Sequence, residues 1–109
     1  MAQAIILARR KQAIGVYTQK KLAWAQMERL CGIEPTGNCA DLPNLMVPMR
    51  TGMMPASYSR VCSALRDSGR VGLYCSEEDV EGGIPEFTLF SFEQNAIVEL
   101  EEDLGEGQA

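Results

Sequence analysis

The run from Pro55 to Gly69, PASYSRVCSALRDSG, is the feature that most constrains how this chain can fold. Proline fits the first turn of a helix, where its missing N–H is not needed, and glycine suits the residue just past the last turn. Between them Tyr58, Val61, Cys62 and Leu65 stand at i, i+3, i+4 and i+7, a single apolar stripe to bury. The opposite face carries Ser57, Ser59, Arg60, Ser63 and Asp67. Beyond Gly69 the period changes from helical to two. Val71, Leu73 and Cys75 alternate with Gly72 and Tyr74, and Phe87, Leu89 and Ser91 alternate with Thr88, Phe90 and Phe92. Gly82, Gly83 and Pro85 lie between the two runs, which predicts two strands joined by a flexible loop.

The preceding chain reads as helical. AQAIILARRKQAI, residues 2–14, offers an apolar patch of Ile5, Ile6, Leu7 and Ile14, with Arg9, Arg10 and Lys11 on the exposed side. A second helix is predicted over 18–33. Thr18 can cap it, Leu22, Met27, Leu30 and Cys31 form its stripe, Gly32 ends it and Pro35 prevents its resumption. A turn-rich loop, PTGNCADLP, leads to a short element at 42–52, read as a helix with Pro43 in its first turn. Pro48 would cost such a helix about 3 kcal/mol or more, so this element is expected to be short or kinked. The expected fold class is therefore α+β: N-terminal helices, a presented helix, then a β-hairpin. A chain of 109 residues holds one core, assigned to residues 1–98, with residues 99–109 (ELEEDLGEGQA) as an acidic tail.

Charge is divided along the chain. All ten Lys and Arg lie between Arg9 and Arg70, among only four acids, whereas the segment from Val71 onward holds eleven acids and no base. The overall net charge of −5 thus combines a portion of +6 with one of −11. No apolar run approaches the roughly 18 to 20 residues that span a bilayer. The opening MAQAIILARRKQ places its positive charge after the apolar stretch, the reverse of a secretory signal. Cytoplasmic residence is the expectation. The four cysteines form no CxxC pair and histidine is absent, which suits small buried thiols better than a zinc site. Without histidine, without a GxxxxGKS or GxGxxG run, and with no base in sequence reach of a cysteine, no catalytic activity and no cofactor are expected.

The order helix, turn, helix, hairpin resembles the winged helix-turn-helix domain of bacterial regulators of the MarR, GntR and ArsR types. The resemblance covers residues 40–92. It rests on Thr51-Gly52 as the tight turn, Ala56 after the proline, the Ser59-Arg60 pair, Val61 and Leu65 in the stripe, and Gly69 before the first wing strand. It implies a sequence-specific regulator of bacterial or phage type that reads double-stranded DNA in the major groove. Ala56, Ser57, Ser59, Arg60 and Ser63 would then face the bases, and Arg50, Arg66 and Arg70 would meet phosphates. A homodimer is implied, with Ile5, Ile6, Leu7 and Ile14 as its seam; the alternative is that these four complete the monomer core.

One feature departs from that pattern. A wing that touches DNA normally carries Arg or Lys, but this one carries Glu77, Glu78, Asp79 and Glu81. Affinity for nucleic acid comes largely from neutralising phosphates, so these side chains would repel it. The second reading is a winged-helix protein-interaction module, or a DNA-mimic inhibitor, that meets a basic protein partner through its acidic hairpin and tail.

Overall fold

The computed structural model describes residues 3–93. The fold is mixed α/β, with three helices, a four-stranded antiparallel sheet and a separate two-stranded ribbon. The expected tail at 99–109 lies outside the described residues. No helix among the described residues is long and apolar enough to cross a membrane.

The N-terminal segment is a hairpin, not the helix expected there. Strand β1 (Gln3–Arg9) pairs with β2 (Gln12–Tyr17) across a two-residue turn, Arg10-Lys11. The apolar run AIIL is compatible with either period, and its β-branched isoleucines decide for the strand once a partner is available. That partner is β6 (Phe87–Glu93), which pairs with β1 antiparallel from Gln3↔Glu93 to Arg9↔Phe87. Ile5 and Leu7 are consequently buried at 1% and 0% exposure, so they belong to the monomer core and cannot form a dimer seam.

Helix α1 (Lys20–Leu30) follows, starting one residue later than the Thr18 cap predicted; Gln19 holds the N-cap position without a side-chain cap hydrogen bond among the described residues. It buries Ala23, Trp24 and Met27, whereas Leu22 stays about half exposed. The Trp24 indole N–H donates to the Ala40 carbonyl at 2.9 Å, which ties the long loop after α1 back onto the helix.

Residues 42–52 are also strand rather than helix. β3 (Met46–Met49) and β4 (Gly52–Pro55) form the two-stranded ribbon. Pro48 explains the difference: it lacks an N–H and would break a helix, but it is tolerated in a short ribbon, where it sits exposed. A bridge from Met46 to Tyr74, two backbone hydrogen bonds of 2.8 Å, joins this ribbon to the end of the sheet.

Helix α2 (Tyr58–Ser68) forms nearly as predicted. Its start falls after Pro55, which ends β4, and Ser57 serves as cap by accepting from the Arg60 N–H at 3.3 Å. Gly69 closes it in the left-handed conformation, φ 72°. Val61 and Leu65 are buried and Tyr58 and Cys62 are half-buried, the stripe expected. β5 (Arg70–Leu73) then pairs antiparallel with β6. The connection between them is not a plain loop but a short helix, α3 (Glu77–Gly82). Ser76 caps it, accepting from the Asp79 N–H at 3.2 Å, and Glu77, Glu78 and Asp79 occupy its first turn, where carboxylates are favoured by the helix dipole. Part of the acidic run thus has a local structural role.

The sheet order is β2-β1-β6-β5. α1 and α2 lie on one of its faces, packed against Ile5, Leu7, Val71, Leu73, Phe87 and Leu89. Within this core Glu28 of α1 is only 2% exposed, and its Oε2 has no hydrogen-bond partner among the described residues. A buried polar atom without a partner costs roughly 1–3 kcal/mol. Replacement by an apolar side chain of similar length, Glu28→Met, is therefore expected to raise the thermal unfolding midpoint by several degrees. An unchanged or lower midpoint would show that this carboxylate is satisfied in solution.

Candidate functional site

The residues that the sequence singled out for DNA contact differ in burial and in what they already contact. Ala56 is fully buried, because it pairs its backbone with Leu42 and Leu45 at the base of the ribbon. Ser57 is occupied as the α2 cap. Arg60 is half-buried and donates through Nη1 to the Pro55 carbonyl at 3.1 Å, so its guanidinium is turned back onto the preceding strand. Ser59 and Arg66 are exposed on α2 and Ser63 is half-buried there. Arg50 is exposed in the turn of the ribbon. Arg70 begins β5 paired with Phe90, and its guanidinium lies 5.4 Å from the Phe90 ring centroid. Of the alternative set, Glu77, Glu78 and Glu81 are exposed on α3 and Asp79 is half-buried.

A different surface is brought together on the face of the sheet turned away from α1 and α2. Alternation places Ala4, Ile6 and Ala8 of β1 there, opposite Phe92, Phe90 and Thr88 of β6. On the other flank of β6, Arg70 stands beside Phe90 and Gly72 beside Thr88. Phe90 and Phe92 are both half-buried, with ring centroids 6.3 Å apart and planes 22° from parallel. Tyr74 lies flat across Gly72: a methyl group added at that glycine would come within 3.0 Å of the tyrosine oxygen. Phe90 is thus flanked by Ile6 and Arg70, Phe92 faces the small Ala4, and Thr88 lies between Ala8 and Gly72. Among the described residues this face carries no carboxylate, and its outer strand adds Val16, 62% exposed and paired with Ile6.

At one end of this face a groove of about 560 Å³ opens between the β1–β2 turn and the segment that follows α3. Ala8, Thr88 and Phe90 contribute to its floor, Ile84 and Pro85 stand on the α3 side, and Arg10, Lys11 and Arg70 bring three positive charges. Arg10 is rigidly placed. Its N–H donates to the Glu86 carbonyl at 2.9 Å, and its Nε donates to Glu86 Oε2 at 3.2 Å. Glu86 Oε1 accepts from Arg9 at 3.1 Å, so one half-buried carboxylate orients both arginines. Arg10 also adopts φ 57°, a left-handed conformation that is costly for a residue with a side chain.

On the helical side, Tyr58 packs edge-on against Trp24, with centroids 5.4 Å apart. Burial, and then the hydrogen bond and charge of Cys62, push the Tyr58 hydroxyl up to about 12. Burial likewise pushes the Cys31 and Cys39 thiols above their ordinary value, which keeps both protonated at neutral pH. Among the described residues, no group of three or more Cys, Asp or Glu side chains is placed to hold a metal ion.

The sequence reading missed Phe90, Phe92, Tyr74, Arg10 and Lys11 as a group. A signal was present: in FTLFSF both alternating sets contain large apolar residues, whereas a strand with one solvated face should alternate apolar with polar. Comparison with protein-family models, with curated proteins and with solved structures finds no match.

The Tyr58 shift has a consequence for stability. An unfolded tyrosine loses its proton near 10, but the folded one keeps it to about 12. The unfolded state therefore releases its proton first, and stability falls as pH rises through that window while being unaffected below it. Urea midpoints measured across the window should fall in the wild type and fall less steeply in Tyr58→Phe. Equal slopes for the two would show that this hydroxyl is not buried as described.

Proposed function

We propose that this protein binds single-stranded nucleic acid on the open face of its four-stranded sheet. The observation that carries the reading is the Phe90–Phe92 pair, on a central strand, with Arg70 over one ring and, among the described residues, no carboxylate in the outward register of the strands. Unpaired bases stack on aromatic side chains regardless of sequence, at roughly 1–3 kcal/mol per base. Aromatic side chains on the open face of a four-stranded sheet can receive splayed, unpaired bases. Arg10, Lys11 and Arg70 supply the phosphate contacts at one end of the platform. The ligand is a single strand of DNA or RNA of a few nucleotides, held by stacking and charge.

Binding is to be read by fluorescence anisotropy of a labelled oligonucleotide. Phe90→Leu and Phe92→Leu keep apolar area but remove the aromatic faces, and each is expected to weaken binding by at least about fivefold. Thermal melts of the same variants separate this effect from loss of folding. With three phosphates neutralised, log K against log salt should fall with a slope of about −2. Affinities unchanged in both folded variants would sink the proposal.

A second reading keeps the winged helix and a duplex target. Its support is that α2 leads through Gly69 into the antiparallel pair β5–β6, the order of a presented helix and its wing. The exposed Ser59 and Arg66 and the half-buried Ser63 would then face the groove, with Arg50 at a backbone phosphate. Arg66→Ala should weaken duplex binding under this reading and leave single-strand binding intact. The reverse pattern, or no effect on either, rules the duplex reading out.

A further inference from the structure

We infer that the basic groove at the turn end of the sheet is a subsite for the phosphate-bearing terminus of a single strand, an inference that rests on the nucleic-acid reading above. Three observations point to a chain end and not to a strand passing through. First, the groove is lined on that side by the protein's own chain. Gly83, Ile84 and Pro85 border it, and Ile84 is 51% exposed, a large apolar side chain left at the surface. Second, the segment that borders the groove is joined to an acidic helix. The segment follows directly from α3, whose exposed Glu77, Glu78 and Glu81 would repel further phosphates.

Third, the cations are concentrated at the groove and are held in place. Glu86 fixes the backbone and Nε of Arg10, so the terminal amino groups of this guanidinium are the part left to meet a ligand at the groove. Lys11 stands next to it and Arg70 lies across Phe90. A non-glycine residue in the left-handed region is a strained choice at a turn where glycine or asparagine would serve. An arginine kept there provides charge at a fixed point. A terminal phosphate monoester carries close to two negative charges near neutral pH, against one for an internal phosphodiester, and it offers three oxygens to fork-shaped donors. A groove of 560 Å³ accommodates one nucleotide, its base against the Arg70–Phe90 pair and its phosphate between Arg10 and Lys11.

The test compares one short oligonucleotide in four forms: 5′-phosphorylated, 3′-phosphorylated, with both ends hydroxyl, and closed into a circle. One of the two phosphorylated forms should bind about tenfold more tightly than the hydroxyl form, and the circle should bind no better than the hydroxyl form. Lys11→Gln, which leaves the Arg10–Glu86 contact in place, should reduce that preference. The double change Arg10→Asn with Lys11→Gln should abolish it, and asparagine tolerates the left-handed turn, so the hairpin is retained. Equal affinity for the phosphorylated and hydroxyl forms, or a preference that survives the double change, overturns the end-binding inference while leaving the platform standing. Failure of all four forms to bind removes the platform itself.

Discussion

The antiparallel pairing of β1 with β6 is the constraint on which the rest of the structure depends. It joins the first described residues to the last, from Gln3↔Glu93 to Arg9↔Phe87, and makes these the two central strands of the sheet. Long-range pairing of this kind must overcome loop-closure entropy before any contact forms, so the strands need strong burial on at least one face. Ile5, Leu7, Phe87 and Leu89 provide it, since each is 3% exposed or less. With that face given over to α1 and α2, the alternate residues of the same strands are obliged to point the other way. The exposed aromatic surface is therefore a direct product of the register. A one-residue slip of β6 would send Phe90 and Phe92 into the core and Phe87 and Leu89 out of it.

Around this sheet the remaining elements settle by local chemistry. Pro48 and Gly52 forbid a stable helix at 42–52 and leave a ribbon, which attaches through Met46 and Tyr74 at the outer edge of β5. That attachment shortens the free edge of the strand, a common way to avoid edge-to-edge association. The acids at 77–79 complement the dipole of a short helix, so their negative charge is explained without a partner. The groove and its cations arise where the β1–β2 turn meets the segment after α3, and Glu86 is the joint: its carbonyl holds the Arg10 N–H and its carboxylate holds both arginines.

How much of this was legible in the sequence varies by element. The helix at 58–68 was readable because its cap, its stripe and its closing glycine all agree. The β5 and β6 strands were readable because the period changes sharply after Gly69. The N-terminal hairpin was not, because AIILARRKQAI satisfies a helical period nearly as well as an alternating one, and its strand partner lies more than seventy residues away. Ile5 and Leu7 illustrate the point: they read as one side of a helix patch but are the inward set of a strand. The site was harder still. Arg60 was singled out for its position on a presented helix, and its bond to the Pro55 carbonyl, an exposed contact five residues back, is not visible in helical spacing. Phe90 was visible only as one member of an alternation, and its meaning depends on which face the helices cover, which is a tertiary fact.

Charge shows why local placement matters more than totals. The whole chain is −5, a value that argues against nucleic acid if read as a sum. Within residues 3–93, however, ten Lys and Arg stand against ten Asp and Glu, so all of the excess negative charge belongs to residues 94–109. At physiological ionic strength a charge is felt over about 8 Å, which makes the immediate surroundings of a phosphate decisive. Arg10, Lys11 and Arg70 line one groove, and the carboxylates of Glu77, Glu78 and Glu81 belong to α3, which precedes the groove-lining residues Gly83, Ile84 and Pro85 in the chain. The charge that any ligand at this groove would meet is set by these side chains and by Glu86 beside them, and the sum over the whole chain does not describe it.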